Sequence, residues 1–126
     1  MSDGPSGPAG LPVVYARDLA PLLSYYRRVL RFELLHEVFG VLAIVRRGAL
    51  KLQLWQGEPD APRVCRVTLD GGTSVFRLYA DLAGVARSAL VEEAPRLRGW
   101  GRWEFSLCDA QGNRLVFSQS PLATPC

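Results

Sequence analysis

The chain has 126 residues, of which 48% are hydrophobic and 21% charged, a balance that suits one folded domain and excludes a disordered chain. The formal net charge of +3 comes from scattered basic pairs such as Arg27-Arg28, not from a basic stripe interleaved with aromatics, so nucleic acid is not an expected partner. Charged or polar residues interrupt every apolar run, which argues against a membrane-spanning helix.

The first ten residues are rich in Gly, Pro and Ser, and they lack the basic start and apolar core of a signal peptide. We expect residues 1–10 to be a flexible lead-in and residues 121–126 to be a tail. The cysteines, Cys65, Cys108 and Cys126, are odd in number, far apart and without a CxxC motif. This pattern indicates a reducing compartment, and we expect the protein in the cytoplasm.

The pattern of the first half of the sequence predicts one strand, one helix and three further strands. A strand is expected to end at Asp18, whose carboxylate can cap the helix that follows, and Pro21 falls in the first helical turn, where its missing N–H does no damage. Residues 32–38, 41–45 and 50–55 are predicted strands. Helical spacing is carried by Leu19, Leu22, Leu23, Tyr26, Val29 and Leu30.

The second half resembles the first. Asp81 lies 63 positions after Asp18 (81 − 18) and follows a similar stretch, so we expect a strand to end there and a helix to begin. A hairpin is predicted from residues 103–108 and 114–119, around a turn at residues 109–113. Residues 58–73 are a predicted linker, in which residues 63–69 either extend the last strand of the first half or form an extra hairpin.

These elements predict an α+β fold made of two βαβββ modules in tandem. The modules are expected at residues 11–57 and 74–120, with the linker between them. Together they form a single predicted domain over residues 11–120.

Two segments resemble the vicinal oxygen chelate superfamily, which includes glyoxalases, extradiol dioxygenases and bleomycin-resistance proteins. PVVYARDL at residues 12–19, followed by YYRRVLRF at residues 25–32, is similar to the start of bleomycin-resistance proteins. WGRWEF at residues 100–105, running into DAQGN at residues 109–113, is similar to their closing hairpin. Arg31 and Ala110 depart from that pattern, which usually has Gly and Pro there. The resemblance implies an incomplete barrel around a concave groove, and usually a homodimer.

In the superfamily's enzymes the groove holds a divalent metal, bound by side chains on the first and fourth strands of each module. The corresponding positions here are Leu11, Gln53, Val75 (or Ser74, one residue earlier) and Val116. Leucine and valine have no donor atom, and one neutral amide does not make a metal site. We therefore expect neither a metal nor another cofactor.

Strand alternation predicts which side chains line the groove, because residues two apart share a face. Aromatic rings and cations of this kind suit a planar or anionic organic molecule of drug-like size. The same aromatics would also suit a closed core or a dimer interface, and the sequence leaves that alternative open. The expected ligand-binding residues are Tyr15, Lys51, Gln53, Trp55, Arg77, Tyr79 and Arg114.

Two further residues invite a catalytic interpretation. His36 is the only histidine, so it has no second imidazole with which to share a metal, and we interpret it as a surface or partly buried structural residue. Glu104 would suit a general base if it were buried. The resemblance makes it a recurrent hairpin residue, and we interpret it as a structural hydrogen-bond acceptor.

We predict a metal-independent small-molecule-binding protein that sequesters a planar or anionic organic compound. The apolar residues at the expected metal-ligand positions favour a binding protein over an enzyme without deciding between them. Bleomycin is cationic and calls for an acidic groove, so the basic groove residues Lys51, Arg77 and Arg114 disfavour it as the ligand. One alternative is a metal-dependent lyase, isomerase or dioxygenase of the same superfamily. Another is a non-catalytic accessory dimer whose groove binds nothing in particular.

Overall fold

The computed structural model describes residues 11–58, 63–69, 74–99 and 101–119. The predicted lead-in and tail, at residues 1–10 and 121–126, lie outside these ranges. The chain divides into two compact units between Arg63 and Val64, and each contains one four-stranded sheet. The predicted α+β class is confirmed.

The first unit follows the predicted order of one strand, one helix and three strands. Its sheet has the order β1-β4-β3-β2, in which β1 runs parallel to β4 and the other pairs are antiparallel. A helix is needed between β1 and the rest because parallel strands require a crossover connection. The elements are β1 (Val13–Ala16), α1 (Leu19–Arg28), β2 (Glu33–Val38), β3 (Leu42–Arg47) and β4 (Leu50–Gln56).

Helix α1 packs on β4 and β3 through one apolar face. Its buried residues are Leu19, Leu22, Leu23 and Tyr26, at the helical spacing that the sequence predicts. On the sheet side, Leu52 and Leu54 of β4 are fully buried. Alternation along β4 therefore directs these leucines to the helix and directs Lys51, Gln53 and Trp55 to the opposite face.

The start of α1 is capped differently from the prediction. Asp18 holds the N-cap position with extended backbone, but its carboxylate makes no capping hydrogen bond. Instead, Gln56 at the end of β4 accepts a hydrogen bond at Oε1 from the Leu19 N–H, at 2.8 Å, and donates from Nε2 to the carbonyl of Arg17, also at 2.8 Å. The predicted Asp18 cap is therefore wrong, because the neighbouring strand supplies the acceptor.

The end of α1 turns through a left-handed residue. Arg31 has φ of 65°, and it is the only non-glycine residue with positive φ in the described part of the chain. The turn brings the Phe32 N–H to the carbonyl of Tyr26 at 2.8 Å, which satisfies one of the last carbonyls of the helix. Arg31 thus adopts a left-handed conformation that favours glycine, the residue that the resemblance leads us to expect at this position.

The second unit has the same order of elements as the first. Its sheet has the order β5-β8-β7-β6, with β5 parallel to β8 and the other pairs antiparallel. After α2, a short 3₁₀ turn at Arg87–Ala89 leads toward β6. The elements are β5 (Val64–Thr68), α2 (Val75–Ala86), β6 (Arg96–Leu97), β7 (Trp103–Cys108) and β8 (Arg114–Gln119).

The start of the second module is where the sequence prediction fails. The segment before Asp81, where a strand was expected to end, forms the first turns of α2 from Val75 onward, and Asp81 lies inside that helix instead of preceding it. The Ser74 hydroxyl caps α2 by accepting from the N–H groups of Phe76 and Arg77. The strand that opens the module is β5, within the predicted linker, and it neither extends the first sheet nor forms a hairpin of its own, because it pairs with β8.

The predicted hairpin of β7 and β8 is confirmed, including the pairing of Phe105 with Phe117 and of Leu107 with Leu115. Phe105 and Phe117 lie 5.0 Å apart between ring centroids, and Tyr79 of α2 contacts Phe105 edge-to-face at 5.2 Å. These rings form the core between α2 and the second sheet. Within the described ranges, neither helix has the length and apolarity needed to cross a membrane.

Candidate ligand-binding site

The first open face is the side of the first sheet turned away from α1. Residues paired directly across neighbouring strands share a face. Val13 and Ile44 both pair with Gln53, and Tyr15 pairs with Trp55. The face therefore carries Val13, Tyr15, Ile44, Lys51, Gln53 and Trp55.

Gln53 is buried on this face, and its amide is already engaged at both ends. The Trp55 indole Nε1 donates to Gln53 Oε1 at 3.0 Å, and Gln53 Nε2 donates to the carbonyl of Leu11 at 3.2 Å. The first hydrogen bond fixes the orientation of the indole beside the amide. A bound ligand would therefore meet a positioned aromatic ring and not a free amide.

The positions at which related enzymes bind a metal do not provide a metal site here. The register pairs Val13 with Gln53 and Arg66 with Val116, so the position that corresponds to Leu11 in the second module is Val64, two residues before Arg66. The predicted counterpart, Val75, is instead a buried residue of α2. Leu11, Val64 and Val116 have no donor atom, and the Gln53 amide is engaged by protein groups. Among the described residues, no three His, Cys, Asp or Glu side chains come together as a metal site requires. These residues do not fit the metal that the fold implies.

The second open face is the side of the second sheet that is turned away from α2. It carries charged side chains, whereas the first open face carries aromatic ones. The register places Arg66 beside Val116, Val116 beside Ser106, and Ser118 beside Glu104. Arg114 begins β8 two residues before Val116 and points to the same side. Its guanidinium Nη2 donates to the Ser106 hydroxyl at 3.2 Å.

Two carboxylates and three guanidinium groups form an arginine–glutamate cluster on this face. Glu104 Oε2 lies 3.6 Å from Arg66 Nη1, and Glu104 Oε1 lies 3.6 Å from Arg98 Nε. Glu92 Oε2 lies 4.0 Å from Arg98 Nη2 and 3.9 Å from Arg114 Nη2. The cluster consists of Arg66, Arg98, Arg114, Glu92 and Glu104, with one more positive than negative charge.

The backbone of β7 holds the Glu92 carboxylate in place. Glu92 Oε1 accepts from the Ser106 N–H at 2.7 Å, and the Tyr79 hydroxyl donates to the Glu92 carbonyl at 2.8 Å. The segment before β6 is thereby fixed to both β7 and α2. A pocket of about 250 Å³ lies over this cluster, lined by Val64, Arg66, Arg98, Glu104, Ser106, Arg114 and Val116.

A larger pocket, of about 570 Å³, lies in the first unit along α1 and β2. It is lined by surface residues of the helix and of the edge strand, including Arg27, Arg28, Glu33 and Glu37, and not by the predicted site residues. His36 of β2 is exposed and pairs with Ile44, which places it on the first open face.

Five of the predicted ligand-binding residues lie on the open faces of the sheets: Tyr15, Lys51, Gln53 and Trp55 on the first, and Arg114 on the second. Arg77 and Tyr79 do not, because both belong to α2 and strand alternation does not apply to them. Arg77 is exposed on the helix, whereas Tyr79 is buried against Phe105. The strand assignment that placed these two residues in the groove is therefore wrong.

Arg66, Arg98 and Glu92 are not among the site residues predicted from the sequence. Arg66 lies in residues 63–69, for which the sequence leaves open a strand extension or a hairpin; in the structure it alternates with buried Cys65 and Val67 along β5. Arg98 and Glu92 lie in irregular segments, where alternation makes no prediction. Glu104 is buried, as a structural acceptor would be.

No protein-family model matches the sequence, and no curated protein is similar enough to match it. Solved structures are similar across nearly the whole chain. A bleomycin resistance determinant encoded on the transposon Tn5 is 25% identical, with a TM-score of 0.69 over 92% of this chain and 100% of that one.

Two further solved structures illustrate the two kinds of protein among the structural neighbours, a bleomycin-binding protein and an enzyme. The bleomycin-binding protein from bleomycin-producing Streptomyces verticillus, complexed with copper(II)-bleomycin, is 22% identical, with a TM-score of 0.63 over 93% of this chain and 97% of that one. A lactoylglutathione lyase from Agrobacterium tumefaciens is 17% identical, with a TM-score of 0.61 over 92% of this chain and 97% of that one. The chain has the fold of the vicinal oxygen chelate superfamily, and its structural neighbours include bleomycin-resistance proteins, bleomycin-binding proteins and glyoxalase-like proteins.

Proposed function

We propose that this protein binds and sequesters a planar or anionic organic molecule without the help of a metal. The observation that carries the proposal is the hydrogen bond from Trp55 Nε1 to Gln53 Oε1 at 3.0 Å. It engages the amide oxygen that a metal would need, and it presents the indole on a face with Tyr15 and Lys51. An aromatic face with a nearby cation binds flat, electron-rich or anionic molecules.

The charges on the second open face argue against bleomycin as a ligand of that face. Two of the structural neighbours are bleomycin-binding proteins seen with bleomycin. A cationic ligand calls for exposed carboxylates, whereas this face carries three guanidinium groups and two buried or nearly buried carboxylates. We therefore expect bleomycin to bind there more weakly than an aromatic anion of similar contact area.

The binding test uses protein treated with EDTA and desalted, titrated calorimetrically with 2-naphthoate and with its neutral analogue, 2-naphthamide. Both compounds are expected to bind. Replacing Trp55 with Leu removes the ring and is expected to weaken both about tenfold. Trp103→Leu is the matched control, because Trp103 contacts Phe76 of α2 at 5.1 Å between ring centroids and so lies on the helix side of the second sheet.

Equal losses in Trp55→Leu and Trp103→Leu would contradict the proposed location of the site. If neither compound binds to the wild-type protein, the sequestration proposal fails and the accessory-dimer alternative takes its place. Circular dichroism of each variant shows whether a loss of binding follows from a loss of structure.

The fold that this chain shares with a lactoylglutathione lyase supports one competing function, a metal-dependent lyase, isomerase or dioxygenase. The discriminating measurement is the metal content after incubation with excess Zn, Ni, Mn and Fe(II), followed by desalting. Background levels of all four are expected. Stoichiometric retention of any one would favour the enzyme.

We further propose that the protein acts in the cytoplasm as a homodimer, which is the usual assembly of the proteins it resembles. Sedimentation equilibrium should give twice the 13.9 kDa mass of one chain. A monomer mass at micromolar concentration would contradict this part of the proposal.

A further inference from the structure

We propose that the arginine–glutamate cluster, which lies wholly in the second unit, is a binding site for an oxyanion, the carboxylate or phosphate group of a small organic molecule. The inference rests on the proposed small-molecule binding and names the chemical group that this face recognises. Three residues carry the recognition: Arg66, Arg98 and Arg114.

The carboxylates of the cluster are more buried than its guanidinium groups, and this difference favours an anionic ligand over a cationic one. The carboxylates lie deep, with side chains exposed by 5% for Glu104 and 11% for Glu92. The guanidinium groups lie above them, with side chains exposed by 64% for Arg66, 45% for Arg114 and 38% for Arg98. An incoming ligand therefore meets the positive groups first, while the negative groups neutralise part of that charge from below.

The guanidinium groups also keep hydrogen-bonding capacity for a ligand. Every ion pair of the cluster measures 3.6–4.0 Å, longer than a direct hydrogen bond, whereas Arg46 and Glu33 in the first unit approach to 2.8 Å. A planar guanidinium group offers several N–H donors in a fork that matches the oxygens of a carboxylate or phosphate. An oxyanion could therefore form shorter hydrogen bonds to the guanidinium groups than the two glutamates do.

The pocket over the cluster is slightly smaller than one that encloses a whole drug-sized ligand. Its volume of about 250 Å³ is below the range of roughly 300–1,000 Å³ that encloses a drug-sized molecule. Its floor is formed by Ser106 and Val116, which add one hydroxyl and one apolar contact. We assign it one carboxylate or phosphate group, because the three guanidinium groups line it.

The test compares 2-naphthoate and 2-naphthyl phosphate with neutral 2-naphthamide by calorimetry. Both anions are expected to bind more tightly than the amide, and their advantage should shrink as NaCl is raised. Arg66→Gln is expected to weaken both anions about tenfold and to leave the amide within twofold. Arg77→Gln is the matched control, because it removes the same charge from an exposed position on α2.

A second variant changes affinity in the opposite direction. Glu104→Gln keeps the shape of the side chain but removes a negative charge 3.6 Å from both Arg66 and Arg98, so it should strengthen the binding of both anions. If the cluster served only to stabilise the fold, Glu104→Gln and Arg66→Gln would both weaken binding or both leave it unchanged. The relative affinity of the carboxylate and the phosphate identifies which oxyanion the site prefers.

The results separate this inference from the proposed function. If the amide and both anions bind equally and Arg66→Gln changes nothing, the oxyanion site is overturned while the aromatic site stands. If Arg77→Gln weakens the anions as much as Arg66→Gln does, the effect is one of net charge and the oxyanion site is likewise overturned. If no probe binds, the proposed function itself fails.

Discussion

Gln56 and Gln119, the last residues of β4 and β8, perform the same task in the two modules. Gln56 Oε1 accepts from the Leu19 N–H and Gln119 Oε1 accepts from the Val75 N–H, so each fixes the first residue of its module's helix to the end of the fourth strand. A free N–H at a helix start is normally satisfied by a residue just before the helix. Here a residue distant in sequence satisfies it.

Replacing Gln56 with Ala should lower the free energy of unfolding by about 1 kcal/mol, because the first N–H of α1 loses its acceptor in a partly buried position. Urea unfolding followed by tryptophan fluorescence measures the change. Glu37→Ala, at an exposed position of β2, is the control and should stay within about 0.5 kcal/mol of wild type. Equal effects of the two substitutions would show that the side chain of Gln56 does not cap the helix.

Tyr79 should matter for stability and not for binding. Tyr79→Phe removes the hydroxyl that donates to the Glu92 carbonyl and should cost about 1 kcal/mol of stability. Because the ring remains packed on Phe105, affinity for 2-naphthoate should stay within about twofold of wild type. A large loss of affinity at unchanged stability would restore Tyr79 to the binding site.

The turn between β7 and β8 is organised by one buried carboxylate. Asp109 Oδ1 accepts from the N–H groups of Gln111 and Asn113 at 2.9 and 3.0 Å, and Asn113 Nδ2 donates to Asp109 Oδ2 at 3.0 Å. Asp109→Ala should destabilise the protein by about 2 kcal/mol, since it leaves buried donors unsatisfied. Asp109→Asn keeps one acceptor oxygen and should therefore lower the free energy of unfolding by less than Asp109→Ala does. Thermal unfolding of both variants measures the difference. An equal loss would mean that the charge, and not the acceptor geometry, organises the turn.

Arg31 is a position at which glycine should increase stability. Its φ of 65° is unfavourable for a residue with a side chain, and this penalty exceeds the entropy that glycine gains in the unfolded chain. Arg31→Gly is therefore expected to add about 0.5 kcal/mol. Arg28→Gly, in the last turn of α1, removes the same side chain at a helical position and should cost about 1 kcal/mol. The proposal about Arg31 is wrong if both substitutions destabilise the protein.

The first module was predictable because its signals agree with one another. The spacing of Leu19, Leu22 and Tyr26 is helical, and the alternation of Leu52 and Leu54 with Gln53 is that of a half-buried strand. Each pattern is long enough to distinguish a helix from a strand. The cap on α1 was not predictable, because Gln56 is far from the helix in sequence.

The second module was harder because residues 75–79 satisfy two patterns. Val75, Arg77 and Tyr79 alternate with Phe76 and Leu78, as in a strand of β-favouring residues. The helical spacing of Val75, Leu78, Leu82 and Ala86 becomes visible only when the segment is extended to its full length. Ser74, a preferred helix-capping residue, was the local signal for the correct start.

The candidate site was predictable on the first sheet and only partly on the second. Once β4 was identified, alternation placed Lys51, Gln53 and Trp55 on one face. The arginine–glutamate cluster draws on β5 and on the irregular segments that contain Glu92 and Arg98. Its assembly depends on tertiary contacts, which neither spacing nor composition encodes.

The outer strand of the first sheet has a consequence for how the protein behaves at high concentration. β2 lies at the edge of the sheet, its register shifts between Leu34 and His36, and its exposed residues include Glu33 and Glu37. A regular, uncharged edge would offer its free amides to the strand of another molecule and promote aggregation. In β2 the shift interrupts the spacing of those amides, and the exposed Glu37 adds a charge to the strand, so this edge protects the protein from growing into an extended intermolecular sheet.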